Sequence, residues 1–507
     1  MPIINSIVNL LSSKRLKSID EFRKNPVEVQ EAVFKYLVDT AKGTEWGKMH
    51  DFSSIKSIET FQQRTPIQDY NQAKSFIERV RQGEQNIIWP TEITWFAKSS
   101  GTTEDKSKFI PISEESLNNV HFQGGKDILT LYNYNNPETQ IFSGKGLTLG
   151  GSHQIDKLND KAYTGDLSAI LIENIPFWAD LFRTPSQKVA LIADFEEKMR
   201  KIAEEAIPEN VTYFAGVPSW NMVLMKYILE HTGKSNLFEV WPNMELFIHG
   251  GVSFTPYREQ YKKLFPSDSM HYMETYNASE GFFALQDDPG SNDMLLMLDY
   301  GIFYEFIPME SFFDKQVSPL TVADVKLGVN YAMVITTNGG LWRYIIGDTV
   351  EFTSLFPHKI RITGRTKHFI NTFGEEIIVD NAEQAIKEAC LATDAIVSEY
   401  TAAPIYMDSN AKGGHEWIFE FEKAPISMEH FTDVLDNALI KINSDYEAKR
   451  FKNITLQRPI VHVAAKGLFY EWLKQNGKLG GQNKVPRLYN ARDYVEKLLE
   501  LNKSLLK

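Results

Sequence analysis

Apolar residues recur at helical spacing through most of residues 1–90, broken at Lys42-Gly43 and Trp46-Gly47. The pattern then changes. Thr94-Trp95-Phe96 and Phe109-Ile110-Pro111-Ile112 read as strands on either side of the small-residue run Ser99-Ser100-Gly101-Thr102-Thr103. Residues 113–240 alternate helices with short strands. Phe195 to Ala206 is an amphipathic helix stopped by Pro208, and Ser219 is expected to cap a helix that runs to Gly233. Leu246-Phe247-Ile248 reads as a strand ending in Gly250-Gly251. Met270 to Tyr276 reads as another, running into Asn277-Ala278-Ser279-Glu280-Gly281. Met294 to Ile307 divides into two strands around Tyr300-Gly301, and strands dominate from there to the end of Tyr344-Ile345-Ile346-Gly347-Asp348. After Gly364-Arg365 the chain reads as a second compact unit. It has strands at 395–407 and 416–422, a helix at 428–443, a strand at 454–464, a helix at 467–475 and a glycine-rich loop at 477–486. The alternation predicts an α/β protein with a hinge near 363–368.

Composition narrows the function classes. The chain has 507 residues, 43% hydrophobic and 24% charged, which is ordinary for a globular protein large enough for two or more domains. A net charge of -12 argues against non-specific nucleic-acid or anionic-membrane binding. Ile3 to Leu11 is too short and too broken by Asn5 and Asn9 for a secretory signal, and no window reaches a membrane-spanning apolar length. The single cysteine, Cys390, excludes a disulfide within the chain and is expected to be a buried, inert thiol. A reducing, cytoplasmic compartment fits.

Four loops carry the candidate chemistry. Ser99 to Thr103 sets hydroxyls around a glycine, so backbone amides and side chains can cradle an anion, and Lys106 and Lys108 follow. It is not a Walker A loop. The nearest match, Gly233-Lys234-Ser235, has Ile228 where that motif needs glycine. Glu280, just past a strand, has the chemistry to hold Mg²⁺. Asp348, read as the end of another strand, is suited to the ribose hydroxyls. Lys484, in Gly480-Gly481-Gln482-Asn483-Lys484, is a cation on a loop that could meet a phosphate. Each loop also has a plain reading as a turn. Their order is what gives them meaning: Glu280 lies 181 residues after Ser99, Asp348 a further 68, and Lys484 a further 136.

That order resembles the adenylate-forming superfamily of acyl-CoA synthetases and firefly luciferase. Phe96 to Thr103, Lys106 to Pro111, Tyr276 to Gly281, Tyr344 to Asp348 and Gln482 to Arg487 resemble one branch, the auxin-responsive (Gretchen Hagen type) acyl acid–amido synthetases, over nearly the whole chain. The resemblance implies a large N-terminal adenylate-forming domain of mixed sheets and helices (1–364) and a small mobile α/β lid (365–507). It implies ATP and Mg²⁺ as cofactors, with Ser99, Ser100, Gly101, Thr102 and Thr103 on the phosphates and Tyr276, Asn277 and Ser279 near adenine and the acyl end. Asp348 and Arg365 would lie at the ribose, Glu280 on the metal, and Lys484 on the reacting groups. The partners implied are a small carboxylic acid and an amino acid. Two departures stand out: Glu104-Asp105 replace the glycine that follows the Thr pair, and Gly364-Arg365-Thr366-Lys367 lacks the usual hinge aspartate.

The acid pocket is expected between 121–183 and 219–232, with Trp178, Phe182, Trp220, Leu224 and Tyr227 as lining candidates, although the last three also have the spacing of core residues. His249 is expected either to floor the adenine site or simply to pack. No Gly-x-Ser-x-Gly elbow supports a hydrolase, and no histidine pair has zinc-ligand spacing. An acyl-CoA or acyl-protein synthetase with a thiol acceptor, and a non-catalytic sensor of a nucleotide or carboxylic acid, remain the alternatives.

Overall fold

The computed structural model describes residues 2–99, 108–149, 155–192, 194–251, 254, 257–288, 290–312, 314, 317–366, 369–370, 377–405, 413–443, 446–447, 450, 456–479, 484–489 and 491–506. Ser100, Gly101, Thr102 and Thr103 of the expected phosphate loop, and Gly480 to Asn483 before the lysine, lie outside them.

An eleven-stranded mixed sheet organises the large unit. In chain order its strands are β1 (Lys145–Thr148), β2 (Arg183–Thr184), β3 (Val211–Gly216), β4 (Leu246–Gly250), β5 (His271–Ala278), β6 (Gly281–Leu285), β7 (Met294–Leu296), β8 (Ile302–Pro308), β9 (Asn330–Thr337), β10 (Tyr344–Leu355) and β11 (His358–Arg365). Their order across the sheet is β8-β9-β10-β11-β7-β6-β5-β4-β3-β1-β2. Strands β2, β1, β3, β4 and β5 are parallel, and the rest of the sheet is antiparallel. The parallel strands therefore end along one edge, where ligand crevices form in open α/β sheets. The two strands that the sequence predicts on either side of the small-residue run, Trp95–Ser99 and Lys108–Ile112, are antiparallel neighbours in a separate four-stranded sheet.

The N-terminal helices are stitched to the antiparallel half. Gln30, buried in the helix Pro26–Ala41, donates to the carbonyls of Leu298 (2.7 Å) and Ile302 (2.9 Å) and accepts from the Tyr304 amide. Trp46-Gly47, expected as a loop, lies in a short helix, Glu45–Met49, because Thr44 caps it through the Gly47 amide. One large core joins these helices to the sheet, and a second fills the space between the parallel strands and the helices Phe195–Ala206, Pro218–Thr232 and Arg258–Leu264. The Pro218–Thr232 helix starts with proline at its first turn and Val217 at the cap, so Ser219 is not the cap expected of it. Gly233 does close the helix, in the left-handed conformation at φ 66°.

The C-terminal unit has its own cores. A three-stranded sheet of Ile396–Ile405, Gly414–Lys423 and Ile460–Val463 is covered by the helices Val379–Thr393, Met428–Ile442, Leu468–Gln475 and Asp493–Leu505. The expected strand at 454–464 is shorter, and residues 454–455 lie outside the described set. Cys390 is partly buried and its thiol is pushed up to about 11 by burial, as an inert thiol should be. No helix among the described residues is long and apolar enough to cross a membrane.

Candidate active site

Strands β5 and β6 form a hairpin closed by Ser279 and Glu280, with Ala278 opposite Gly281. The hairpin turn thus delivers Glu280 to the edge where the parallel strands end. Strand β4 ends beside it in Gly250 and Gly251. A Cβ on Gly250 would sit 2.5 Å from the Thr275 carbonyl oxygen, so only glycine lets β4 and β5 run this close here. Asp348 arrives from β10. The sequence reading ends that strand at Asp348, but it continues to Leu355. Gly347, at φ 92°, absorbs the local irregularity without ending the strand. Asp348 is instead placed by pairing with Arg365, the last residue of β11.

These residues converge. The Tyr276 hydroxyl donates to Asp348 Oδ2 at 2.7 Å, and Arg365 Nε lies 3.1 Å from Asp348 Oδ1. Burial, with the Asp348 carboxylate beside it, keeps the Tyr276 phenol protonated. Asp348 raises Arg365, so the guanidinium stays charged. Glu280 is 8% exposed, and its carboxyl is raised, chiefly by burial, against the opposing pull of Lys108. Ser279 is buried beside it, whereas Asn277 is exposed.

Lys484 enters from the C-terminal unit. Its ammonium donates to the Gly251 carbonyl at the end of β4. Burial, with Arg487 and Arg365 as like charges, pushes it down to about 7. Lys484, Glu280, Tyr276, Asp348, Arg365 and Lys108 all line one cavity of about 2330 Å³. That volume exceeds the usual few hundred to roughly a thousand Å³ of a single-ligand pocket and leaves room for more than one substrate. Of the expected nucleotide residues, only the phosphate loop is not placed, since Ser99 is described by its backbone alone, as the end of the strand that pairs with Lys108–Ile112.

The same cavity is also lined by the apolar side chains of Phe122, Leu129, Phe142, Ile172, Phe182 and Tyr213, with Lys126, Arg183 and Lys198 among the lining residues. Of the expected lining residues, Phe182 is placed there. Leu224 is fully buried in the second core and Tyr227 packs against that core, so both are structural. The side chains of Trp178 and Trp220 lie outside the described set. His249 packs at 4.1 Å against Phe254 and is held neutral, near 3, by burial and Arg258. Sequence reasoning missed Glu274, Tyr257 and Glu399 in the cavity wall. Glu274 stands two residues before Tyr276 on the same strand face, a period-2 signal that was available.

Profiles of the GH3 family match along the chain: its N-terminal domain at residues 15–270, its central domain at 295–365 and its C-terminal domain at 380–493. The chain belongs to the GH3 family. Among curated relatives, indole-3-acetic acid-amido synthetase GH3.4 of Arabidopsis thaliana is 24% identical, over 96% of this chain and 93% of that one. The 4-substituted benzoates-glutamate ligase GH3.12 of the same plant is 20% identical, over 93% and 94%. The GH3-family fold is seen again in the solved GH3.15 acyl acid amido synthetase in complex with 2,4-DB. That structure aligns with a TM-score of 0.80 at 17% identity, covering 96% of this chain and 95% of that one.

Proposed function

We propose that this GH3-family protein is an ATP-dependent ligase that joins a carboxylic acid to the amine of an amino acid through an acyl-adenylate. The observation that carries this reading is the meeting of Lys484 with Tyr276, Asp348, Arg365 and Glu280 in one cavity. A binding protein needs no cation brought in from a second unit. The relatives' printed activities, an acid with an amine in each case, support it.

In the first step a carboxylate oxygen of the acid attacks the α-phosphorus of ATP and the bond to pyrophosphate breaks. Two anions approach each other, so cations fixed at the site lower the barrier. Lys484, with Arg365 and Lys108 nearby, supplies that charge. Asp348 and Tyr276 hold the ribose side, and Ser99 to Thr103 would take the phosphates. Glu280 is a buried, cavity-facing carboxylate, the donor type a hard divalent cation takes. Mg²⁺ bound there would neutralise phosphate charge. In the second step the neutral amine attacks the acyl carbonyl, the bond to AMP breaks, and the nitrogen loses its proton.

The apolar part of the cavity lining fits an acid with an extended or aromatic apolar body. We place the boundary between the large unit, 1–364, and the lid, 365–507, at Gly364-Arg365. Acid-dependent exchange of labelled pyrophosphate into ATP tests the first step, and amide formation across amino acids, with coenzyme A as the competing acceptor, tests the second. No exchange across aromatic and aliphatic acids, with ATP still bound, would favour a sensor. Thioester formation without amide would move the chain to the thiol-using ligases.

A further inference from the structure

One short stretch of the large unit holds two residues of the lysine segment, Lys484 and Arg487. Gly251 accepts from Lys484, and Tyr257, six residues on, binds Arg487, three residues after Lys484. Arg487 Nη2 donates to the Tyr257 hydroxyl at 3.0 Å. That hydroxyl donates in turn to Glu399 Oε1 at 3.2 Å, and Glu399 Oε2 lies 2.7 Å from Arg487 Nη1. The three groups close a ring in which the phenol both donates and accepts. Tyr400 backs the ring, with its face 4.8 Å from the Arg487 guanidinium, and itself donates to Glu383 at 2.9 Å. Glu383, Glu399, Tyr400 and Arg487 all belong to the C-terminal unit, so Tyr257 is the large unit's member of this network.

We infer that Tyr257 is a positioning residue that docks the lysine loop on the large unit for the adenylation step. The inference rests on the ligase reading above. Lys484 sits near two like charges, Arg487 and Arg365, which oppose its placement. A loop bearing an ammonium in that field stays only if something anchors it. The ring through Tyr257 is that anchor: it neutralises Arg487 with Glu399 and fixes the backbone three residues from Lys484. Tyr257 is 4% exposed, its ring packs in the second core, and burial holds the phenol protonated, so the hydroxyl is a fixed donor. The anchor is polar and small. The looser Lys226–Glu422 pair, at 3.5 Å, is a further contact between charged side chains of the two units. Such contacts hold a unit in place without fusing it, which suits a lid that must yield to a second substrate.

The test is Tyr257→Phe in the full chain, which keeps the ring and removes only the hydroxyl. The pyrophosphate-exchange kcat should fall roughly tenfold, the size expected for hydrogen bonds to charged partners, while KM for ATP changes less than about twofold. Amide formation from a supplied acyl-adenylate should be unchanged, a split that general destabilisation does not produce. Spin labels at Lys234→Cys and Lys497→Cys, in a Cys390→Ser background, report the docking itself. Tyr257→Phe should broaden their distance distribution. Wild-type exchange together with a wild-type distribution overturns the inference, as does equal loss of both half-reactions. If the unaltered protein exchanges with no acid, the ligase reading fails, and the label distances still decide whether Tyr257 docks the lid.

Discussion

The Tyr276 hydroxyl and the Asp348 carboxylate, 72 residues apart in the chain, meet at 2.7 Å. The other Asp348 oxygen pairs with Arg365, so the carboxylate is oriented from two sides. Asp348→Ala removes the acceptor, leaves the Tyr276 hydroxyl and Arg365 without it, and deletes the group assigned to the ribose. KM for ATP should rise by about tenfold or more, the loss of one or two hydrogen bonds to a charged group. Tyr276→Phe should give a smaller rise, because Arg365 still orients Asp348. Equal KM values for both variants and the wild type, in pyrophosphate exchange, would remove Asp348 from the nucleotide site.

Glu280 presents a carboxylate to the cavity in a place where burial disfavours its charge. A bound divalent cation reverses that preference. Glu280→Gln keeps the shape and removes the charge, so exchange should fall about hundredfold at low Mg²⁺, and more metal should restore part of it. A titration of rate against free Mg²⁺ that matches the wild type would exclude Glu280 as the metal's ligand.

Lys484 is held down to about 7 by burial and by Arg487 and Arg365, against the weaker opposing pull of Glu399 and Asp348. The charged, useful form therefore dominates below about pH 7 and is lost as pH rises through that value. Anionic substrates favour the ammonium and move its titration upward. So kcat/KM for the acid, which reports the free enzyme, should decline above pH 7. The decline in kcat should begin at higher pH. Lys484→Ala should lower both and abolish this limb. A kcat/KM limb that survives in Lys484→Ala belongs to another group.

The chemistry-bearing loops were legible because each is local. A strand followed at once by Asn277-Ala278-Ser279-Glu280-Gly281 can be read from neighbouring residues, and so can Gly233 as a helix stop. What was illegible depends on distance or on one backbone angle. Tyr257 and Glu399 are 142 residues apart, and neither sits in a motif. Asp348 reads as a strand end in the sequence, just after Gly347. At φ 92° Gly347 is instead an irregularity inside a strand that β11 holds in register. Leu224 and Tyr227 show the limit of periodicity, since the spacing that puts residues on one helix face does not say whether that face meets a core or a cavity.

Gly124 sets two effects against each other. It lies in the helix Phe122–Asn135, where alanine is favoured over glycine by about 1 kcal/mol. A Cβ there would come within 2.4 Å of the Phe282 ring, which is buried and lines the cavity next to the Glu280 turn. Overpacking of this kind costs about 1–3 kcal/mol. Gly124→Ala should therefore lose stability in urea despite its better helix propensity, and should weaken acid use by displacing Phe282. A more stable Gly124→Ala would mean that the ring moves aside freely.

Arg343 directly precedes the run Tyr344 to Asp348, yet it is not among the residues that line the cavity. Its guanidinium is 4% exposed and takes Glu305 in a fork, Nε to Oε2 at 2.9 Å and Nη2 to Oε1 at 2.8 Å. Its remaining nitrogen donates to the carbonyls of Gln62 (2.8 Å) and Thr65 (2.7 Å), tying the helix Ile58–Arg64 to the sheet. Arg343 also holds φ at 44°, so the network keeps a backbone that its side chain disfavours. Glu305→Gln leaves the guanidinium buried with its charge uncompensated. The expected loss is about 3–5 kcal/mol in chemical denaturation. Because the pair lies outside the cavity wall, kcat and KM of the folded fraction should stay at wild-type values. A kinetic defect with full stability would instead place this pair in the path from the helices to Asp348.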